Sequence, residues 1–194
     1  MGSSVECFVL HPIPRGLESL RRFVYTTKNG ACSKSGYGCH DATVAIGEVE
    51  MDTPEEGKYE QYIQPDSISH DDSRWPKTCV CDYEFTDKDE WQINHDRFYA
   101  RDDGTGVTTW HAAPSGAMRI AWWMGECFRG PDGKTWAVKL PDGSDWIIDG
   151  PANNGRKDGP AWTRTGTAPL FTANPSIKSP NYHGFLRNGR LEEC

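Results

Sequence analysis

Trp136-Ala137-Val138-Lys139-Leu140-Pro141-Asp142-Gly143-Ser144-Asp145-Trp146-Ile147-Ile148 is the stretch that decides the fold. Trp136, Val138 and Leu140 alternate with small or polar neighbours, and Trp146 and Ile148 resume the alternation further on. A period of two sends successive side chains to opposite faces of a strand. Between the two runs Pro141 presets φ and Gly143 accepts the positive φ of a tight turn. The stretch reads as a β-hairpin. Downstream, residues 182–191 read as a second hairpin around Asn188-Gly189, a dipeptide suited to a type I′ turn. Upstream, residues 118–124 form an apolar run ending at Gly125, which reads as a buried strand. Residues 150–180, rich in Gly, Pro, Asn and Thr, read as an ordered loop that must cover Trp162, Leu170, Phe171 and Ile177.

Toward the N-terminus, residues 42–49 read as another buried strand. Cys7-Phe8-Val9-Leu10 is a short apolar run that His11-Pro12-Ile13-Pro14 should stop, because proline removes a ladder donor. Two places read as helical. Leu17, Leu20 and Val24 fall at near-helical spacing, and Thr86-Asp87-Lys88-Asp89 pairs a hydroxyl with a carboxylate three residues on, as in a capping box. Residues 51–75, charged and poor in aliphatic side chains, read as an exposed acidic loop. The expectation is a mainly β fold, α+β at most: a compact, loop-rich β-sheet or sandwich-like domain with short helices. Residues 1–85 would hold a small zinc-stapled subregion and the acidic loop, and residues 86–194 a β-rich region, in one continuous globular unit.

Composition narrows the function. The chain has 194 residues, with 28 acidic side chains against 21 Lys and Arg, a net charge of −7. Phosphate affinity needs a basic surface, so nucleic acid is not the expected partner. Mean hydropathy is −0.71, and no run approaches the ~20 apolar residues of a membrane span. A soluble protein is expected. Eight Trp supply core material, while 20 Gly and 13 Pro, scattered along the chain, imply many short elements joined by turns. The first residues lack the basic segment and apolar run of a secretory signal. A reducing compartment is therefore expected, where clustered cysteines bind metal more often than they cross-link.

The chain has seven cysteines. Cys32, Cys39, His40, Cys79 and Cys81 are five soft or borderline ligands in two tight groups. Zinc takes four such ligands tetrahedrally, commonly two from each of two loops. Glycines at 30, 36 and 38 let the first loop curl around an ion. Cys79-Val80-Cys81 has only one residue between its thiols, so the backbone must bend sharply to present both sulfurs. Ordinary buried thiols and a Cys32–Cys39 disulfide are the competing readings. A site closed by four protein ligands would be structural.

Other constellations carry less. His70-Asp71-Asp72 with His95-Asp96, and Asp145, Asp149 and His183, contain cation-binding groups without a recognisable spacing. Cys127 would need His111 or His183 as a base to serve as a nucleophile, and reads more simply as a strand-end thiol. Trp122-Trp123 and Trp162 read as core rather than as a binding platform. No phosphate-binding loop, dinucleotide fingerprint, nucleophile elbow or His-Glu-x-x-His is present.

Several motifs occur in one order: Arg74-Trp75-Pro76, Cys79-Val80-Cys81-Asp82-Tyr83-Glu84-Phe85, Asp89-Glu90-Trp91-Gln92, Ala113-Pro114-Ser115-Gly116-Ala117-Met118, Gly130-Pro131-Asp132-Gly133, Trp146-Ile147-Ile148-Asp149-Gly150, Trp162-Thr163-Arg164-Thr165-Gly166, Pro175-Ser176-Ile177 and His183-Gly184-Phe185-Leu186-Arg187-Asn188-Gly189. Through these, residues 32–191 resemble a family of small proteins of unassigned function encoded by tailed phages and prophages. The resemblance implies phage origin, a place in the cytoplasm of an infected bacterium or in the virion, and a metal-related Cys-x-Cys element. It also implies Gly in many members where this chain has Asp82. The leading expectation is a non-enzymatic phage structural or protein-interaction protein, stabilised by structural zinc and partnered by a phage or host protein. The alternative is an intracellular accessory factor that binds a host or defence protein through the acidic loop. A metal-dependent enzyme built on Asp145, Asp149, His183 or the His70 cluster is the third.

Overall fold

The computed structural model describes residues 4–24, 32, 34, 39–52, 68–124, 129–148, 150, 163–174 and 176–194. Their strands are β1 (Ser4–Glu6), β2 (Phe8–Val9), β3 (His11–Val24), β4 (His40–Glu50), β5 (Glu90–Ala100), β6 (Thr108–Thr109), β7 (Ala117–Ile120), β8 (Trp136–Lys139), β9 (Asp145–Ile147), β10 (Thr163–Thr165), β11 (Thr172–Asn174), β12 (Ile177–Lys178), β13 (His183–Arg187) and β14 (Arg190–Glu193). One 3-10 turn, Trp122–Met124, is the helical element among the described residues. The mainly β expectation holds.

The chain divides into two compact units. The first takes residues 1–13, 53–61 and 99–194, and the second residues 14–52 and 62–98, so the division falls within β3 and β5.

In the first unit the opening hairpin forms as read. Ala137 pairs with Ile147 and Val138 with Trp146 in an antiparallel β8–β9 ladder. This hairpin sits in a sheet of order β2-β7-β8-β9, and a second sheet has order β1-β14-β13-β12. The β13–β14 turn takes φ of 44° at Asn188 and 72° at Gly189, as a type I′ turn requires. Two apolar clusters fill the unit. Met118, Trp136, Val138, Leu140, Ile148, Phe171, Ile177, Leu186 and Leu191 anchor one. Leu10, Tyr99, Trp110 and the small Ala117, Ala121 and Ala137 anchor the other.

The second unit is built differently. Its long strands lie in the order β4-β3-β5, with β3 and β4 in register from Arg15–Glu50 to Val24–His40. Neither apolar cluster reaches it among the described residues. Stacked rings and the Arg22 guanidinium take that place. The Arg22 guanidinium lies 3.5 Å over Trp91 and 5.3 Å over Phe85. His70 stacks on Trp91 at 4.4 Å, Trp75 meets Trp91 edge-on, and Phe85 touches Tyr83.

Several local expectations are corrected. Residues Leu17 to Val24 belong to strand β3, not to a helix. Gly16, Glu18, Leu20, Arg22 and Val24 are all buried, a period of two that the polar Glu18 and Arg22 hide from a hydropathy reading. The prolines do not stop the chain either: β3 runs through Pro12 and Pro14, which precede the paired stretch starting at Arg15 and so cost no bond to β4. Residues 42–49 form a strand, but Thr43, Val44 and Ala45 in it are exposed rather than buried. The capping box at Thr86 makes a single turn, Asp89 Oδ2 accepting from the Thr86 N–H at 2.7 Å before β5 begins. The run 118–124 splits into β7 and the 3-10 turn. Within 150–180, residues 163–165, 172–174 and 177–178 are strands β10, β11 and β12. The acidic loop over 53–67, Cys127, Asp149 and Trp162 lie outside the described residues.

Candidate metal centre

The β3–β4 hairpin and a tight turn over residues 78–84 bring four ligands together. His40 opens β4 opposite Val24, the last residue of β3, and Cys32 comes from the connection between them. In the turn, Thr78 bridges Glu84, Cys79 N–H donates to the Tyr83 carbonyl and Asp82 N–H to the Cys79 carbonyl. Asp82 takes the left-handed φ of 68° that closes this turn.

The turn closed by the Asp82 N–H on the Cys79 carbonyl brings both the Cys79 and the Cys81 sulfur into the cluster and leaves Val80 between them 62% exposed. Cys39, at the bend before β4, is outside the cluster, and His40, the first residue of that strand, joins it.

The ligand atoms of Cys32, His40, Cys79 and Cys81 all lie within 4.8 Å of one another, the first three residues buried and Cys81 half-buried. The Cys32 and Cys79 sulfurs are 3.8 Å apart, and His40 Nδ1 is 3.1 Å from Cys81 Sγ. A tetrahedral ion with metal–sulfur bonds of about 2.3 Å spaces two sulfurs about 3.8 Å apart. The Cys32–Cys79 spacing is compatible with such an ion. Tyr83 stacks on the His40 ring at 4.1 Å and 11°, fixing its plane. The Asp41 carbonyl lies 3.4 Å from Cys79 Sγ, and the Asp41 carboxylate is held by Arg21 at 3.0 Å. No disulfide joins Cys32 to Cys39.

The thiols are electrostatically unequal. Burial pushes Cys79 up, but hydrogen bonds with the backbone at Cys81 and Asp41 and with His40 bring it below its ordinary value. At Cys81 the backbone of Tyr83 lowers the pKa, yet desolvation and the adjoining Cys32 and Cys79 sulfurs leave it raised. Crowded thiolates oppose one another's ionisation, and a cation among them reverses that opposition.

The remaining candidates are occupied elsewhere. His70 stacks on Trp91, and Asp72 is held at about 2 by the Arg74 guanidinium. His95 pairs with Glu18 at 3.0 Å, both side chains largely buried. Asp145 pairs with Lys139 at 2.5 Å and accepts from Trp110 Nε1 at 2.8 Å, whereas the exposed His183 reaches Ser176 at 3.4 Å. Trp122 is half-buried against the second apolar cluster. Reading the sequence missed the His95–Glu18 pair because its partners are 77 positions apart.

Fold and site define a β-sheet protein with one Cys3His cluster compatible with a metal. No family model matches the chain, and neither a curated protein nor a solved structure matches it significantly. Among the described residues no helix is long and apolar enough to cross a membrane.

Proposed function

We propose that this chain is a zinc-stapled β-sheet protein with a structural or protein-binding role, a tailed-phage component as the resemblance of residues 32–191 implies. Its place is the cytoplasm of an infected bacterium or the virion, and its partner a phage or host protein. The four-ligand cluster carries the reading, with a sulfur spacing of 3.8 Å matched to a tetrahedral ion. Three thiolates and an imidazole favour zinc over hard cations, which prefer oxygen. Four protein ligands leave no coordination position for water or substrate, so the ion would hold the fold rather than act on a reactant. It would clip the β3–β4 hairpin to the 78–84 turn, in the unit that neither apolar cluster reaches.

Elemental analysis of the chelator-washed protein tests the metal, with thiol titration before and after denaturation. About one zinc per chain and protected thiols, both lost in Cys79→Ser with Cys81→Ser, are expected. No retained metal and freely titrating thiols would overturn it. Stoichiometric recovery of the protein from purified particles of the encoding phage is expected for a virion component. Its absence from the particles would leave the intracellular accessory role.

A further inference from the structure

The two most buried sulfurs of the cluster are also adjacent. Cys32 and Cys79 are each 4% exposed, their sulfurs lie 3.8 Å apart and they are 47 positions apart in the chain. Cys81 is half-buried and lies within the same 4.8 Å group. The cluster therefore has an accessible sulfur next to a buried pair. We infer that the site is also an oxidative modification site, in which a peroxide converts Cys32 and Cys79 to a disulfide that replaces the metal as the clip between the hairpin and the 78–84 turn. The metal-release half of this inference rests on the zinc reading above; the disulfide half stands on the sulfur geometry alone.

The chemistry balances with hydrogen peroxide as the oxidant. The Cys81 sulfur, the one solvent reaches, attacks a peroxide oxygen. An S–O bond forms, the O–O bond breaks, and the departing hydroxide takes a proton to become water. Cys79 then attacks the Cys81 sulfenic sulfur, forming S–S and expelling the second oxygen as water. A ring closed across the single residue Val80 is strained, so Cys32 attacks Cys79, an S–S bond forms between them, and the electron pair leaves on Cys81 as its thiolate. In sum two thiols and one peroxide give one disulfide and two waters. Cys81 and His40 remain as ligands, too few to hold a tetrahedral ion. The same two segments stay joined, now covalently, so the metal is released without release of the hairpin.

The test treats zinc-loaded and zinc-free protein with increasing hydrogen peroxide. Free zinc is followed with a chromophoric chelator, and disulfides are mapped by mass spectrometry without reduction. The expected result is zinc release in step with a Cys32–Cys79 linkage, both reversed by dithiothreitol and fresh zinc. Cys81→Ser should slow linkage at least tenfold in zinc-free protein, while Cys39→Ser leaves it unchanged. Zinc retained under excess peroxide overturns the inference, as does a dominant linkage involving Cys39 or sulfinic acid without a disulfide. A protein that takes up no zinc yet forms the Cys32–Cys79 linkage overturns the metal assignment and supports the oxidisable pair.

Discussion

Asp82 adopts a φ of 68°, a region where a side chain with a Cβ costs about 1–2 kcal/mol and where Asp is tolerated better than branched residues. Asp is therefore compatible with the turn that presents Cys79 and Cys81. Asp82→Gly should leave zinc affinity within about threefold, relief of strain offsetting the greater freedom of the unfolded glycine. Asp82→Val should weaken it by at least about tenfold, since β-branching is least compatible with that φ. Competition against a chromophoric chelator reads both, and equal affinity for the valine variant would show that the turn does not need this conformation. Asp132 matters differently. Burial raises its carboxyl, but hydrogen bonds from Arg164, Trp136 and the Lys134 N–H hold it below its ordinary value. As pH falls, the unfolded chain takes up this proton first, so the stability Asp132 contributes is complete above its unfolded pKa and is lost as pH drops through the folded one. Asp132→Asn should flatten the decline in Tm below about pH 4, and an unchanged slope there would assign the acid sensitivity to other groups.

Hairpins and the buried face of β3 differ in how openly the sequence announces them. β8 and β9 were legible because their inward positions are Trp, Val and Ile and their turn is built of Pro, Asp and Gly. β3 was not, because Glu18 and Arg22 occupy inward positions, the first paired with His95 and the second lying over Trp91 and donating to the Thr86 carbonyl. Charged residues on a buried face erase the period that hydropathy would detect. The candidate ligands were legible by type, yet the choice of His40 over Cys39 depended on where β4 begins, which composition does not encode. Turn glycines carry a sharper expectation. Gly143 and Gly189 have φ of 80° and 72°, but a Cβ on Gly143 would meet nothing within 4 Å, whereas one on Gly189 would lie 2.9 Å from the Pro169 carbonyl oxygen. Gly143→Ala should cost about 1 kcal/mol and Gly189→Ala at least about twice that, the first from conformation alone and the second from conformation plus a backbone clash. Denaturant unfolding of the two variants decides it, and equal losses would mean that the backbone near Pro169 gives way.

The two units draw their stability from different sources, and that difference sets how the molecule should respond to losing a metal. The first has two apolar clusters, with Phe171, Ile148, Ile177, Leu186 and Val138 fully buried. The second buries Glu18, Arg22, His40, Asp89 and Arg97 beside few aliphatic groups, and is held by Arg22 between Phe85 and Trp91 and by the His95–Glu18 pair, to which a metal in the Cys3His cluster would add. Cation–ring contacts contribute about 0.5–2 kcal/mol each, and a structural zinc site of this kind about 10 kcal/mol or more of apparent binding energy. If the cluster holds the proposed zinc, removing it should therefore destabilise the second unit far more than the first. Hydrogen exchange read by mass spectrometry, with and without chelator, is the direct check. Protection in β4 and in residues 14–24 and 78–98 should fall by at least about a hundredfold, while β7, β8, β13 and β14 keep theirs, because opening of one unit exchanges only that unit's amides. A uniform loss across both would mean that the chain opens as one cooperative body, and no loss at all would mean that stacked rings and ion pairs hold the second unit without a metal.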